Sequence, residues 1–211
     1  MNDAAISSLP AVSPSLRALC VLCGKKSPMR NIVIDTCCLI NLCAAGELSE
    51  WLPSLGHRWH LPRAVRDEAL YLHFTDEDGA RKKEPVDLKG YLREGILHEC
   101  ALDTAEESQL FVELAADLDD GESMALAIAS SRGWALATDD RKARRTASGL
   151  DVSLLTTPQI MKKWEATGNP TPAQLGAALG RIQAHARYRP PRDSDQFEWW
   201  EQRRNEASAN S

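Results

Sequence analysis

Two short apolar runs in this chain end abruptly in acids, and that pattern restricts the fold more than any other feature. The run NIVI, Asn31 to Ile34, closes on Asp35, and the run WALAT, Trp134 to Thr138, closes on the pair Asp139 and Asp140. Unbroken apolar runs of this length read as strands buried on both faces. A helix follows each. Thr36 to Ala45 is apolar at Leu39, Ile40, Leu42 and Cys43 and stops at Gly46, and Asp140 to Ser148 follows the second run. Strands alternating with helices specify a parallel sheet covered on both sides, a three-layer α/β/α class.

The rest of the chain extends this pattern. Glu47 to Leu55 reads as a short helix and Trp59 to Leu61 as a brief strand. Pro62 then opens a helix whose apolar stripe is Val65, Ala69 and Leu72. Phe74 to Lys89 is charged and unpatterned, and reads as a loop. Gly95 to Leu102 suits a strand. Asp103 and Glu106 stand at capping-box spacing before the next helix, and Asp119 and Glu122 repeat that spacing before another, which Gly133 ends. Val152 to Leu155 suits a strand, and Thr157-Pro158 and Thr171-Pro172 each pair a cap with a first-turn proline. The last helix is expected to reach about Tyr188. A polar tail follows, apart from Phe197, Trp199 and Trp200, which are expected to pack back on the domain or on a partner.

With 211 residues the chain makes one domain with appendages, and 43% hydrophobic and 26% charged residues are those of a soluble globular protein. A net charge of -5 argues against a general electrostatic DNA binder. It leaves room for nucleic acid held by a local basic patch beside metal ions. No run approaches the roughly 18 apolar residues of a membrane span. The N-terminus lacks an early positive cluster, and Arg17 interrupts its apolar stretch, so the chain reads as cytoplasmic. Three of the six cysteines sit within Cys37 to Cys43, as buried small hydrophobes do in a reducing compartment. Cys20 and Cys23 form one C-x-x-C, without the second pair or histidines that a zinc site wants.

In a parallel sheet, functional groups collect beyond the carboxyl ends of the strands. Asp35, Asp139 and Asp140 would therefore share one rim. A helix cap for Asp35 and a turn for the pair are the plainer alternatives. Glu122 heads a helix that is apolar nearly all round, although the capping box competes for its carboxylate. Glu68 falls inside the stripe of the Pro62 helix, where a charge needs a salt-bridge partner or a metal. Carboxylates gathered together repel and raise each other's pKa values unless a cation neutralises them, and hard oxygen ligands select Mg²⁺ or Mn²⁺. Arg141, Lys142, Arg144 and Arg145 lie alongside. They could hold phosphates or simply form a solvated face.

The stretches IVIDTCCLINLCAAGEL, LPRAVRDEAL and LDDGESMALAIASSRGWALATDDRKAR together resemble a PIN domain of the VapC-like toxin ribonuclease kind, over about Ile32 to Gly168. The resemblance implies a nuclease domain over 29–168, flanked by an N-terminal extension, 1–28, and a C-terminal helix and tail, 169–211. It implies metal-dependent endoribonuclease cleavage with Mg²⁺ or Mn²⁺ held by Asp35, Glu68, Glu122 and a fourth acid. That acid is Asp140 on a T-x-D reading and Asp139 on a T-D reading. Thr36 and Thr138 are placed to add hydroxyl contacts. The expected partners are an RNA substrate, an antitoxin protein and a second copy of the chain in a homodimer, with no membrane. The competing reading is a catalytically inactive PIN-like module that binds RNA or protein. A haloacid-dehalogenase-like site would want an acid where Cys37 stands. A receiver domain would want paired acids before the first strand. No glycine-rich phosphate loop occurs.

Overall fold

The computed structural model describes residues 30–76 and 78–209. The N-terminal extension, with Cys20 and Cys23, lies outside the described residues. Five strands, all parallel, form the central sheet: β1 (Asn31–Ile34), β2 (Arg58–Pro62), β5 (Leu97–Cys100), β6 (Ala135–Ala137) and β7 (Leu154–Leu155), in the order β5-β2-β1-β6-β7. The chain works outward from β1 on one side, then returns to place β6 on the other. The crevice between β1 and β6 is thus the point where strand order reverses, which is where open α/β sheets bind ligands.

Alternation along β1 divides the core between two faces. Ile32 and Ile34 face one cluster together with Trp59, Leu61, Leu39 and Leu179. That side is covered by α1 (Thr36–Ala45), α2 (Leu48–Trp51), α8 (Thr157–Gly168) and α9 (Pro172–Arg181). Val33 and Leu136 face the other cluster. There α6 (Asp120–Arg132) lays its fully buried run Ala125 to Ala129 against the sheet, beside α5 (Ala105–Leu114) and α7 (Arg141–Gly149). The architecture is three-layer α/β/α. Among the described residues no helix is long and apolar enough to cross a membrane, and Cys37, Cys38, Cys43 and Cys100 are free thiols.

Several local expectations are corrected. Helix α3 covers only Arg63–Asp67, and Pro62 is the last residue of β2 and not a first-turn proline. Glu68 already has extended backbone (φ -72, ψ 147), so no helical stripe runs from Val65 to Leu72. The expected loop after Phe74 is instead part of an antiparallel hairpin of β3 (Tyr71–Thr75) and β4 (Arg81–Pro85), followed by α4 (Leu88–Arg93). The alternation Leu72, Phe74 against Tyr71, His73, Thr75 is a strand signal. The wholly exposed, charged β4 hides it, because pairing and not burial makes β4 a strand. The cap of α5 is Thr104, one residue after Asp103, and that of α8 is Thr156, one before Thr157. After α9 a π-helical turn, Ile182–Ala186, ends at Arg187. The polar tail is largely a helix, α10 (Phe197–Ala209), packed on α9, with Trp200 fully buried and Trp199 donating to Glu165.

Candidate active site

Asp35 leaves β1 at the N-cap position of α1, yet its side chain caps nothing. The register pairs Ile34 with Ala137, so Asp35 and Thr138 come next in line on adjacent strands. Thr138, fully buried, donates its hydroxyl to Asp35 Oδ2 at 2.6 Å, and Cys37 Sγ donates to the same oxygen at 3.1 Å. Asp35 itself is 1% exposed. Burial pushes its carboxyl up, the two side-chain bonds oppose that, and the charge of Asp119 adds to the rise.

Glu68 reaches the rim by a route the sequence reading missed. It follows the short α3, exposed as a residue, but its carboxylate leans over the first turns of two helices. Thr36 Oγ1 donates to Glu68 Oε2 at 2.8 Å. A Cβ on Gly121 would stand 2.3 Å from Glu68 Oε1, so the glycine leaves room for the carboxylate in its present position. Desolvation raises the Glu68 carboxyl, and the charges of Asp119, Asp35 and Asp120 add to it.

Glu122 sits at the third position of α6. Asp119 Oδ1 accepts from its backbone N–H at 2.8 Å, but among the described residues its carboxylate reaches back to no cap. The expected conflict between capping and a site role is thereby resolved: Asp119 caps, and the Glu122 carboxylate is left over. Its pKa is pushed up to about 7, first by burial and then by the charges of Asp119, Asp140 and Asp35.

The adjacent acids Asp139 and Asp140 part company. Asp139 accepts from Thr157 N (3.0 Å), Tyr188 Oη (2.8 Å), Asn41 Nδ2 (2.9 Å) and the Thr157 hydroxyl. Both its oxygens are occupied, and they tie the end of β6 to α1, α8 and the chain beyond the π-turn. Asp140 caps α7 through Oδ1 alone, from Lys142 N (2.7 Å) and Ala143 N (2.8 Å), and its charge bears on Glu122. Asp35, Glu68, Glu122 and Asp140 therefore share one rim, with Asp119 among them, while Asp139 turns into the fold. No ion pair reaches these four among the described residues. Nor are three His, Cys, Asp or Glu side chains among the described residues gathered closely enough to hold an ion as they stand. Arg141, Arg144 and Arg145 are exposed on α7, and Lys142 pairs with Asp117 at 3.2 Å.

Cys37, Asn41, Gly121, Thr157 and Tyr188 support the site and were not singled out from sequence. Asn41 left a trace, as a lone amide inside an apolar helix that had to find a partner. Gly121 left another, as a glycine in a first helical turn. A cavity of about 590 Å³ lies elsewhere, around Glu47, Trp164 and Arg181, and contains none of the acids.

A PIN-domain family profile matches residues 31–194, well over half the chain. The chain belongs to the PIN-domain family. No curated protein matches it. The match runs past Gly168, so α9 and Tyr188, with its bond to Asp139, fall within the span of the PIN domain. PIN domains have a nuclease-type fold, and the acid rim lies at the switch point where such a fold places its chemistry.

Proposed function

We propose that this PIN domain is an endoribonuclease that hydrolyses RNA phosphodiester bonds with Mg²⁺ or Mn²⁺. Glu122 carries the reading: a half-buried carboxyl pushed up to about 7 among like charges, with no paired lysine or arginine among the described residues. Such a group calls for a cation. The donors fit a hard one, since every candidate ligand is a carboxylate oxygen. Asp35, Glu68, Glu122 and Asp140 would hold it. When bound, the ion supplies Lewis acidity to the phosphate and lowers the pKa of water.

The chain's own groups do the rest. Thr138 and Cys37 fix the direction of Asp35, and Thr36 fixes that of Glu68. Asp139 holds the strand end rigid and is not a ligand in this reading. Arg141, Arg144 and Arg145, exposed beside Asp140, hold RNA phosphates.

The test is RNA cleavage by purified protein with Mn²⁺, beside Asp35→Asn and a chelator lane. Cleavage lost in both controls is the expected result. Cleavage that persists in Asp35→Asn refutes the assignment. Metal-independent RNA binding without turnover would favour the inactive binding module. A toxin role held in check by an antitoxin forms the outer part of the proposal and rests on the sequence resemblance. Its check is growth arrest in an expressing host by the wild type and not by Asp35→Asn. Sedimentation of the purified chain tests the homodimer.

A further inference from the structure

The β3–β4 ribbon lies outside the central sheet, and its two faces differ. Leu72 on the inward face packs against the main core, and Phe74 lies on His185 with ring centroids 4.4 Å apart. The outward face carries Tyr71, His73 and Thr75, paired with Pro85, Lys83 and Arg81. Tyr71 is 42% exposed, one of the few large apolar side chains left in water. Arg81 and Lys83 are exposed and form no ion pair among the described residues, whereas Lys82, on the other face, pairs with Asp76 at 3.0 Å. Arg187 joins from the end of the π-turn and, with His73, Phe74, Thr75, Arg81 and Ala184, lines a cleft of about 320 Å³ at the end of the ribbon. It holds a left-handed backbone (φ 56), a strain the chain keeps only where its surroundings impose it. Desolvation lowers the pKa of His73, and the positive charges of Arg187, Lys83 and Arg81 add to the fall.

The chain that carries this face is tied at two points to the surroundings of the acid rim. Tyr71 follows Glu68 by three residues, and His73 is at most about 17 Å of extended chain from it. Arg187 precedes Tyr188, whose hydroxyl bonds Asp139. Charge on an exposed strand also blocks sheet-to-sheet pairing. That purpose needs neither an aromatic, nor a single sign on one face, nor an arginine from another element.

We propose that the outward face of the β3–β4 ribbon is a single-stranded RNA platform, on which Tyr71 stacks a base while Arg81, Lys83 and Arg187 hold phosphates. The substrate class rests on the ribonuclease reading; the platform itself requires no turnover.

The experiment is fluorescence anisotropy of a labelled single-stranded RNA with the full chain in chelator, where nothing is cut. R81E/K83E should raise Kd at least tenfold and flatten the log–log salt dependence by about 1.4. Tyr71→Ala should weaken binding by about tenfold and Tyr71→Phe should restore it. Unchanged circular dichroism melting shows that these surface variants are folded. Wild type and variants binding within twofold of one another would overturn the platform, and Mn²⁺-dependent cleavage by the wild type would then leave the ribonuclease reading standing. A wild type that binds no RNA overturns the platform as well. If sedimentation then shows self-association that R81E/K83E dissolves, the ribbon is a protein contact instead.

Discussion

Glu107 and Glu122 occupy the same slot in consecutive helices, the third position of α5 and of α6, and meet opposite electrostatic conditions. Each has its backbone N–H capped, by Thr104 Oγ1 at 3.1 Å and by Asp119 Oδ1 at 2.8 Å. The Glu107 carboxylate, 2% exposed, accepts from Arg132 Nε (2.6 Å), Arg132 Nη2 (2.9 Å) and the Asp103 N–H (2.7 Å). Arg132 foremost holds its carboxyl below the usual range. Arg132 also donates to Ala101 O and lies over Trp134, so the network is complete within the chain. Glu122 lies ten residues from Arg132 on the same helix, about 15 Å away along it. It has acids for neighbours, and its carboxyl is pushed up to about 7. Glu107, which serves the fold, comes with its cation. Glu122 has no such partner among the described residues, and the proposed metal site is the explanation offered for that asymmetry.

The largest expected effects separate these roles. Glu122→Gln should lower Mn²⁺-dependent cleavage by about 1000-fold, as loss of one charge-stabilising group does, and leave the fold intact. Glu107→Gln should do the reverse. It leaves Arg132 with only the exposed Asp103 and the Ala101 carbonyl as partners and costs about 2 kcal/mol, a fall of roughly 4–8 °C in Tm, while cleavage well below the melting point stays at the wild-type rate. Paired activity and melting measurements decide it. If Glu107→Gln loses activity while still folded, the contrast between the two acids fails.

Asp139 and Asp140 repeat the contrast one residue apart. Asp139→Asn replaces one accepting oxygen with a donor facing donors and should cost about 2 kcal/mol. Asp140→Asn keeps the cap of α7, since asparagine caps as well as aspartate. It should leave Tm nearly unchanged and still lose cleavage. Equal activity in Asp140→Asn and wild type would remove Asp140 from the site.

Much of this was legible in the sequence because strand and helix periods are local. The buried runs, their closing acids and the α/β/α order follow from a few adjacent residues each. Glu68 was reached by a faulty step, since the stripe Val65, Ala69, Leu72 belongs to a helix that stops at Asp67. In the structure its carboxylate is directed to the rim by the Thr36 hydroxyl, with room left by Gly121 some fifty residues on. The choice between Asp139 and Asp140 was closed to sequence for a similar reason. Asn41, Thr157 and Tyr188 come from three distant elements, and no spacing rule brings their donors to one carboxylate. The exposed β4 failed on different grounds, because a strand defined by its partner alone has no apolar pattern to read.

The smallest expected effect, the response of melting to pH, tests the opening contrast most directly. Both glutamates have ordinary unfolded values near about 4.3. The raised value in folded Glu122 means that the native state holds a proton the unfolded chain has lost between that value and about 7. Stability from this group is therefore full at low pH, falls as pH rises through that window, and is gone above it. The lowered value in Glu107 gives the opposite sign: its contribution is present above about 4.3 and is lost as pH falls through its folded value. In metal-free buffer, Tm of Glu122→Gln relative to wild type should rise between pH 5 and pH 8 by about 3 °C, less than the full shift would give because solvent screens the half-exposed carboxyl. Added Mn²⁺ should cancel that gain by stabilising the wild type alone. A Tm difference that stays flat from pH 5 to pH 8 would mean that neither burial nor the charges of Asp119, Asp140 and Asp35 raise Glu122, and the argument for a cation there would lose its basis.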